Sequence, residues 1–401
     1  MNCGLRNAAV LALTFGLFAE AGSFAAGQVS FDELQTVLAR AGENKAQLLT
    51  ALKRVAADQS EGMQFLIANM PQRDLETLSA EFLLENTGLA YRAMEGAPWA
   101  DQIPKEIFLN DVLPYANVSE RRDAWRKDFY QRFSPLVKDC KTATEAAERL
   151  NRSIFKQLKV KFSRRRAKAD QSPHESIKTG TASCTGLSIL LVDACRAVGV
   201  PARFVGTPLW ADRSGNHSWV EIWDRGWHFT GAAEPSPQGL DHAWFVHRAS
   251  QAKQDPPRHA IYAVSYKITP LKFPTVWNRR ADYVRAVDVT DRYTQQRQPL
   301  DPNRTRLSIR VFDKRGGDRV AAKTRILSAQ DGGEVFQGIS KDERFDFNDH
   351  LIADVPVDKE YRLELRHENK CLRETFTPTQ QEMLLTFYMS DGQEQRQTGS
   401  R

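Results

Sequence analysis

Two residue types with the right neighbours carry the chemistry legible in this 401-residue sequence: a cysteine and a histidine. After Cys184, apolar side chains recur at Leu187, Leu190, Leu191, Ala194, Cys195 and Val198, the spacing of one helical face. Gly199 stops that helix and Pro201 prevents its resumption. Cys184 is therefore expected in the first turn of a buried helix, where Ala182, Ser183 and Gly186 leave room for other groups. A helix N-terminus stabilises a thiolate through its unpaired N–H groups and its dipole, and the thiolate is the nucleophile. Cys195 lies mid-helix on the apolar face, roughly 16 Å further along at 1.5 Å per residue, and reads as a structural cysteine.

A thiol nucleophile needs a base that takes its proton and returns it to a leaving amine. His217 fits. Val220 and Ile222 alternate with Trp219, Glu221 and Trp223, so the histidine heads a strand. Asp224-Arg225-Gly226 then turns the chain into a second strand beginning Trp227-His228-Phe229. Gln171, Ser172 and Thr179 precede the nucleophile and could donate to an oxyanion, although structural roles suit their spacing better. His242, His247 and His259 are scattered, with no H-E-x-x-H pattern, and no Gly-rich phosphate loop occurs. No metal and no cofactor is expected on these patterns.

The order of these motifs resembles the transglutaminase-like (papain-related) superfamily: a cysteine at a helix start, Gly199-Val200-Pro201-Ala202-Arg203 after it, then His217-Ser218-Trp219-Val220-Glu221 and a turn into a second tryptophan-bearing strand. The likeness covers about 176–234. The wider stretch, with QSPHES before the cysteine and WHFTGAAEP, PRHAIYA and DVTDRYT after it, is similar to an exported bacterial branch with a C-terminal β-sandwich domain. The resemblance implies a nucleophile helix packed on an antiparallel sheet and thioester chemistry between Cys184 and His217. It also implies an acidic residue, usually aspartate, four positions after the tryptophan of the second strand, to orient the histidine. Here that position is Gly231, and Glu234 is the nearest acid. Asp224 sits in the far turn, and Glu221 is roughly 13 Å from His217 along the strand. Glu234 is thus expected as the third catalytic residue. The implied activity is thiol-dependent acyl transfer at an amide, as a peptidase, an amidase or a protein transamidase. The alternative is a non-catalytic cell-envelope binding or scaffold protein on the same fold.

The elements that position this chemistry form an α+β chain. Residues 30–140 read as a helical region, 141–295 as the catalytic domain and 303–390 as a small all-β sandwich. In the first, Leu34, Val37 and Leu38 share a face, Asp74 can cap a helix carrying Leu75 and Leu78, and Trp125, Phe129 and Phe133 form an aromatic core stripe. Thr142 and Glu145 make a capping box. Arg164, Arg165 and Arg166 mark a basic connector, either a solvated loop or an attractor of acidic substrate. In the tail, Leu307, Ile309 and Val311 and then Tyr361, Leu363 and Leu365 alternate as strands, punctuated by glycine pairs.

Arg6, the apolar run Ala9 to Ala19 and the small residues at Ser23 and Ala25 read as a signal peptide over 1–25, hence export to periplasm or medium. No later stretch is apolar enough to span a membrane. Cys140 and Cys371 are a conceivable bridge. A net charge of +6 is too mild for a dedicated nucleic-acid binder, and a protein or peptide substrate, conceivably envelope-associated, is the expected partner. Nothing in the pattern sets an oligomeric state.

Overall fold

The computed structural model describes residues 29–295 and 299–390; the expected signal peptide lies outside the described residues. The helical region starts where Ser30 caps the helix Phe31–Ala39 in a reciprocal box with Glu33. The helices Lys45–Arg54, Ser60–Asn69, Gln72–Thr77 and Ala80–Glu95 follow, and bury Leu38, Leu48, Met63, Leu66 and Leu83 in one core. Asp74 does not cap. It sits inside Gln72–Thr77, buried, and accepts from Tyr115 Oη and Arg122 Nε at 2.9 Å each, while Ser79 caps the next helix.

A second core belongs to the middle of the chain and begins earlier than residue 141. Trp99, Trp125, Phe129 and Phe133 join it from the N-terminal side, together with Leu150 and Ile154 of the helix Ala143–Leu158 and with Leu187, Leu190, Leu191 and Ala194 of the helix Cys184–Ala197. Of the capping box, Thr142 accepts from the Glu145 amide, but the Glu145 carboxylate takes the amide of Lys141 instead. Arg126 fastens the two helical layers. It donates to the carbonyls of Val112, Leu113, Pro114 and Arg196 from a fully buried position. The helix Cys184–Ala197 is stopped at Gly199, whose φ of 78° and contact with the Ala93 carbonyl, 2.8 Å from where a Cβ would stand, exclude other residues.

Behind that helix lies a six-stranded antiparallel sheet. Its spatial order is Trp227–Thr230, His217–Trp223, Ala202–Thr207, Tyr262–Ser265, Arg285–Asp288 and Leu271–Lys272. Ala202, Val220 and Ile222 face the helix and close the core. The sandwich packs a four-stranded sheet, with Lys323–Ser328 and Tyr361–His367 at its centre, on a three-stranded one centred on Arg304–Phe312. Leu307, Ile309, Val311, Tyr361, Leu363 and Leu365 are all buried between them. One pairing departs from a purely antiparallel plan: Glu382–Tyr388 runs parallel to Arg304–Phe312.

The basic connector docks the sandwich. Arg165 forks onto Asp318 at 3.0 and 2.9 Å, and the Arg164 guanidinium lies 4.4 Å from the Phe347 ring centre. His247 reaches Glu382 at 2.8 Å, and Arg248 donates to the Asn348 carbonyl at 2.7 Å. No Cys140–Cys371 bridge forms, because Cys140 is buried in the middle core and Cys371 lies exposed on the strand Lys370–Phe376. Among the described residues, no helix is long and apolar enough to cross a membrane.

Candidate active site

Cys184 is the first residue of its helix, where backbone N–H groups lack intrahelical acceptors. Ser183 caps it, accepting from the Gly186 amide at 3.2 Å and donating its hydroxyl to the Ala169 carbonyl at 2.8 Å. The helix start is pinned to the base by a 3.2 Å hydroxyl contact between Thr185 and Ser218, the residues after Cys184 and His217. His217 opens its strand opposite Thr207. The neighbouring Gly206 is required there, since a Cβ would stand 2.9 Å from the His217 carbonyl.

The imidazole is 2% exposed and sits in an aromatic box. Ring centres of Trp244, Phe245, Trp219 and Trp210 lie at 4.8, 5.1, 5.9 and 6.1 Å. Its Nδ1 is 3.5 Å from Oδ2 of Asp346, an ion-pair distance, and neither ring nitrogen makes a hydrogen bond of good geometry. Cys184 Sγ, a His217 nitrogen and an Asp346 oxygen all lie within 4.8 Å of one another. A thiol, an imidazole and a carboxylate so placed are the components of a nucleophile, a base and its orienting acid. They are also donors that zinc accepts, and would be its ligands if the site held a metal.

Asp346 comes from the sandwich, in the connection between the strands Glu334–Ile339 and Leu351–Pro356. Arg319, 2% exposed, gathers that connection by donating to the carbonyls of Asp342, Phe345, Asp346, Phe347 and Asp349. Asp346 also accepts from the Asn348 amide at 2.9 Å.

The charges sort themselves around the imidazole. Burial alone would lower the pKa of His217, but the Asp346 carboxylate, with help from Cys184, raises it well above its ordinary value. Asp346 responds in the opposite sense: burial opposes its charge, yet the imidazolium holds its pKa below the usual carboxylate range. Glu234 shares the enclosure and is pushed up to about 7, by burial first and by the Asp346 charge as well, against the pull of His217. Two buried carboxylates cannot both ionise cheaply beside one cation, and the nearer one keeps the charge.

Glu234 is therefore close to His217 without being its ion-pair partner, which corrects the expectation that it holds the imidazole. Its Oε2 accepts from Trp244 Nε1 at 2.7 Å, and Trp244 lies against the imidazole. A Cβ on Gly231 would stand 2.6 Å from that same oxygen, so Glu234 fills the space a side chain at position 231 would take. Ser172 caps the helix Pro173–Thr179, and Gln171 donates to Thr179 and to the Thr181 carbonyl, so all three oxyanion candidates serve the turn ahead of the nucleophile. The histidines disperse: His247 bonds Glu382, His259 bonds the Leu209 carbonyl at 3.0 Å, and His242 is exposed. Cys195 is fully buried, and burial drives its pKa far upward. Asp346 escaped the sequence reading. Its only trace there is an aromatic-rich turn, Phe345-Asp346-Phe347, where a solvated loop would need no aromatic residues.

A family model for the transglutaminase-like superfamily matches residues 131–231, a stretch that contains Cys184 and His217 but neither Glu234 nor Asp346. No curated protein matches the sequence. Among solved structures, a Cytophaga hutchinsonii protein described as a candidate cysteine protease aligns at 18% identity and TM-score 0.24, over 29% of this chain and 40% of its own. Red sea bream transglutaminase aligns at 9% identity and TM-score 0.29, over 72% of this chain and 66% of its own. The chain thus spans less than two thirds of either protein.

Proposed function

This chain carries a transglutaminase-like domain at its centre, and from that premise we propose that it is a cysteine enzyme performing acyl transfer at an amide of a protein or peptide. The observation that carries the reading is the approach of Cys184, His217 and Asp346 within 4.8 Å. In this account the Cys184 thiolate attacks the amide carbonyl, and the C–N bond breaks as a C–S bond forms. The imidazolium of His217 gives its proton to the departing amine. Water or a second amine then attacks the thioester, returns a proton to His217 and frees the thiolate. The raised pKa of His217 suits it to hold that proton until the amine leaves, and Asp346 fixes its tautomer. Hydrolysis and transamidation share every step up to the thioester.

The scaffold alternative drew its support from a missing orienting acid. Asp346 removes that support. The test is to incubate the protein with a peptide mixture and search for an acyl adduct on Cys184 by mass spectrometry. An adduct that hydroxylamine releases, and that Cys184→Ala abolishes, is expected; persistent absence of any adduct on Cys184 would leave the scaffold reading. Export belongs to the same proposal, supported by the basic, apolar and small-residue order of 1–25. A mature N-terminus close after Ala25 would bear it out, and an intact leader on the protein isolated from its host would refute it.

A further inference from the structure

A groove of about 1120 Å³ opens beside the active site, between the helix Ala143–Leu158, the 232–246 segment and the sandwich. Its lining includes Leu187, one turn beyond Cys184, Trp244, which lies against His217, and Glu234, which accepts from Trp244. Its apolar lining includes Phe155, Val160, Phe162 and Phe345. Along one wall stand Lys156, Lys159 and Lys161, all exposed.

The charge balance of this groove is one-sided. Its other charged groups already have partners: Arg344 pairs with Asp342 at 2.8 Å and Lys341 with Asp349 at 3.5 Å, and Asp241 is hydrogen-bonded to His228 at 2.6 Å. Glu234 accepts from Trp244 Nε1 at 2.7 Å. Among the described residues, none of the three wall lysines makes an ion pair or side-chain hydrogen bond. Three uncompensated cations over an apolar trough, leading to a thiol that attacks amides, complement a chain with both a peptide backbone and carboxylates.

We propose that the groove seats an acidic peptide segment of the acyl donor, its carboxylates on Lys156, Lys159 and Lys161 and its amide delivered to Cys184. The inference rests on the acyl-transfer reading. A peptide is favoured over other polyanions because the lining shared with the lysines is largely apolar and includes Leu187 and Trp244, neighbours of Cys184 and His217.

The experiment measures alkylation of Cys184 by iodoacetamide at low salt, with capped hexaglutamate or hexaglutamine present, and in parallel the anisotropy of fluorescein-labelled hexaglutamate. The second protein is Lys156→Gln/Lys159→Asn/Lys161→Gln. Asparagine is chosen at 159 because that residue has a φ of 56°, which asparagine tolerates. Hexaglutamate is expected to bind and to slow alkylation at least about fivefold, hexaglutamine to do neither, and the folded triple variant to need roughly tenfold more peptide, as about 0.5 kcal/mol per exposed charge contact implies. Equal effects of the two peptides, or unchanged hexaglutamate binding in the variant, overturn the proposal. Displacement of hexaglutamate by dextran sulfate with protection of the thiol lost would reassign the groove to polyanions in general and overturn it too. Slow alkylation of Cys184 without any peptide would instead sink the acyl-transfer reading, and the anisotropy arm would still decide the groove.

Discussion

At the scale of single residues, the site is one imidazole choosing between two carboxylates. Asp346, 3.5 Å from Nδ1, keeps its charge, and Glu234 is forced towards neutrality. The two are distinguishable by pH. Glu234 has a folded-state pKa raised from 4.5 to about 7, so between those values the folded protein holds a proton that the unfolded chain has lost. Stability contributed at that residue therefore falls as pH rises through this window, and it stays lower above it. Glu234→Gln keeps an acceptor for Trp244 and removes the titration. Thermal melts should show the variant gaining on the parent between pH 5 and pH 8, by several degrees for a change of roughly 2 to 3 kcal/mol. A constant difference across that range would mean that Glu234 is ionised throughout.

At the scale of elements, the helix start and the strand start that present Cys184 and His217 were legible because their signals are local. An apolar face, a glycine stop and a two-residue alternation all lie within a few turns of the residues they place. The third group was not, because no periodicity connects His217 with a loop in another domain. Glu234 was legible as the nearest acid, and it does fill the space beside Gly231, but proximity in sequence could not reveal a competitor. What holds that competitor is Arg319, whose guanidinium gathers five carbonyls of the loop. Arg319→Gln leaves most of those carbonyls unpaired, and should cost roughly 2 to 4 kcal/mol in a denaturant titration. It should also slow Cys184 alkylation in the protein that remains folded. A destabilised variant with unaltered thiol reactivity would show that the loop holds its place without Arg319.

On the scale of the whole molecule, two cores share one candidate site. The sandwich has its own buried centre from Leu307 to Met389, yet it supplies Asp346 to a helix and sheet that hold the thiol and the base. The connector Arg164 and Arg165, which composition alone could assign to solvent or to substrate, instead ties the two together. A chain ending at Gln295 should therefore keep the middle core and lose the fast alkylation of Cys184 by about 10- to 100-fold. Fast alkylation in such a fragment would mean that the sandwich is dispensable for the chemistry.

The central claim is that Asp346 holds His217 charged beside the Cys184 thiol. It is tested most directly by the pH profile of iodoacetamide alkylation, mapped cysteine by cysteine, in the parent, His217→Ala, Asp346→Asn and Glu234→Gln proteins. Exposed Cys371 is the internal reference. At pH 6 an ordinary thiol is almost fully protonated and slow. Cys184 should outpace Cys371 there by about tenfold or more, lose that advantage in His217→Ala and Asp346→Asn, and keep most of it in Glu234→Gln. A Cys184 no faster than Cys371, or an Asp346→Asn profile superimposable on the parent while Glu234→Gln shifts, would contradict the account.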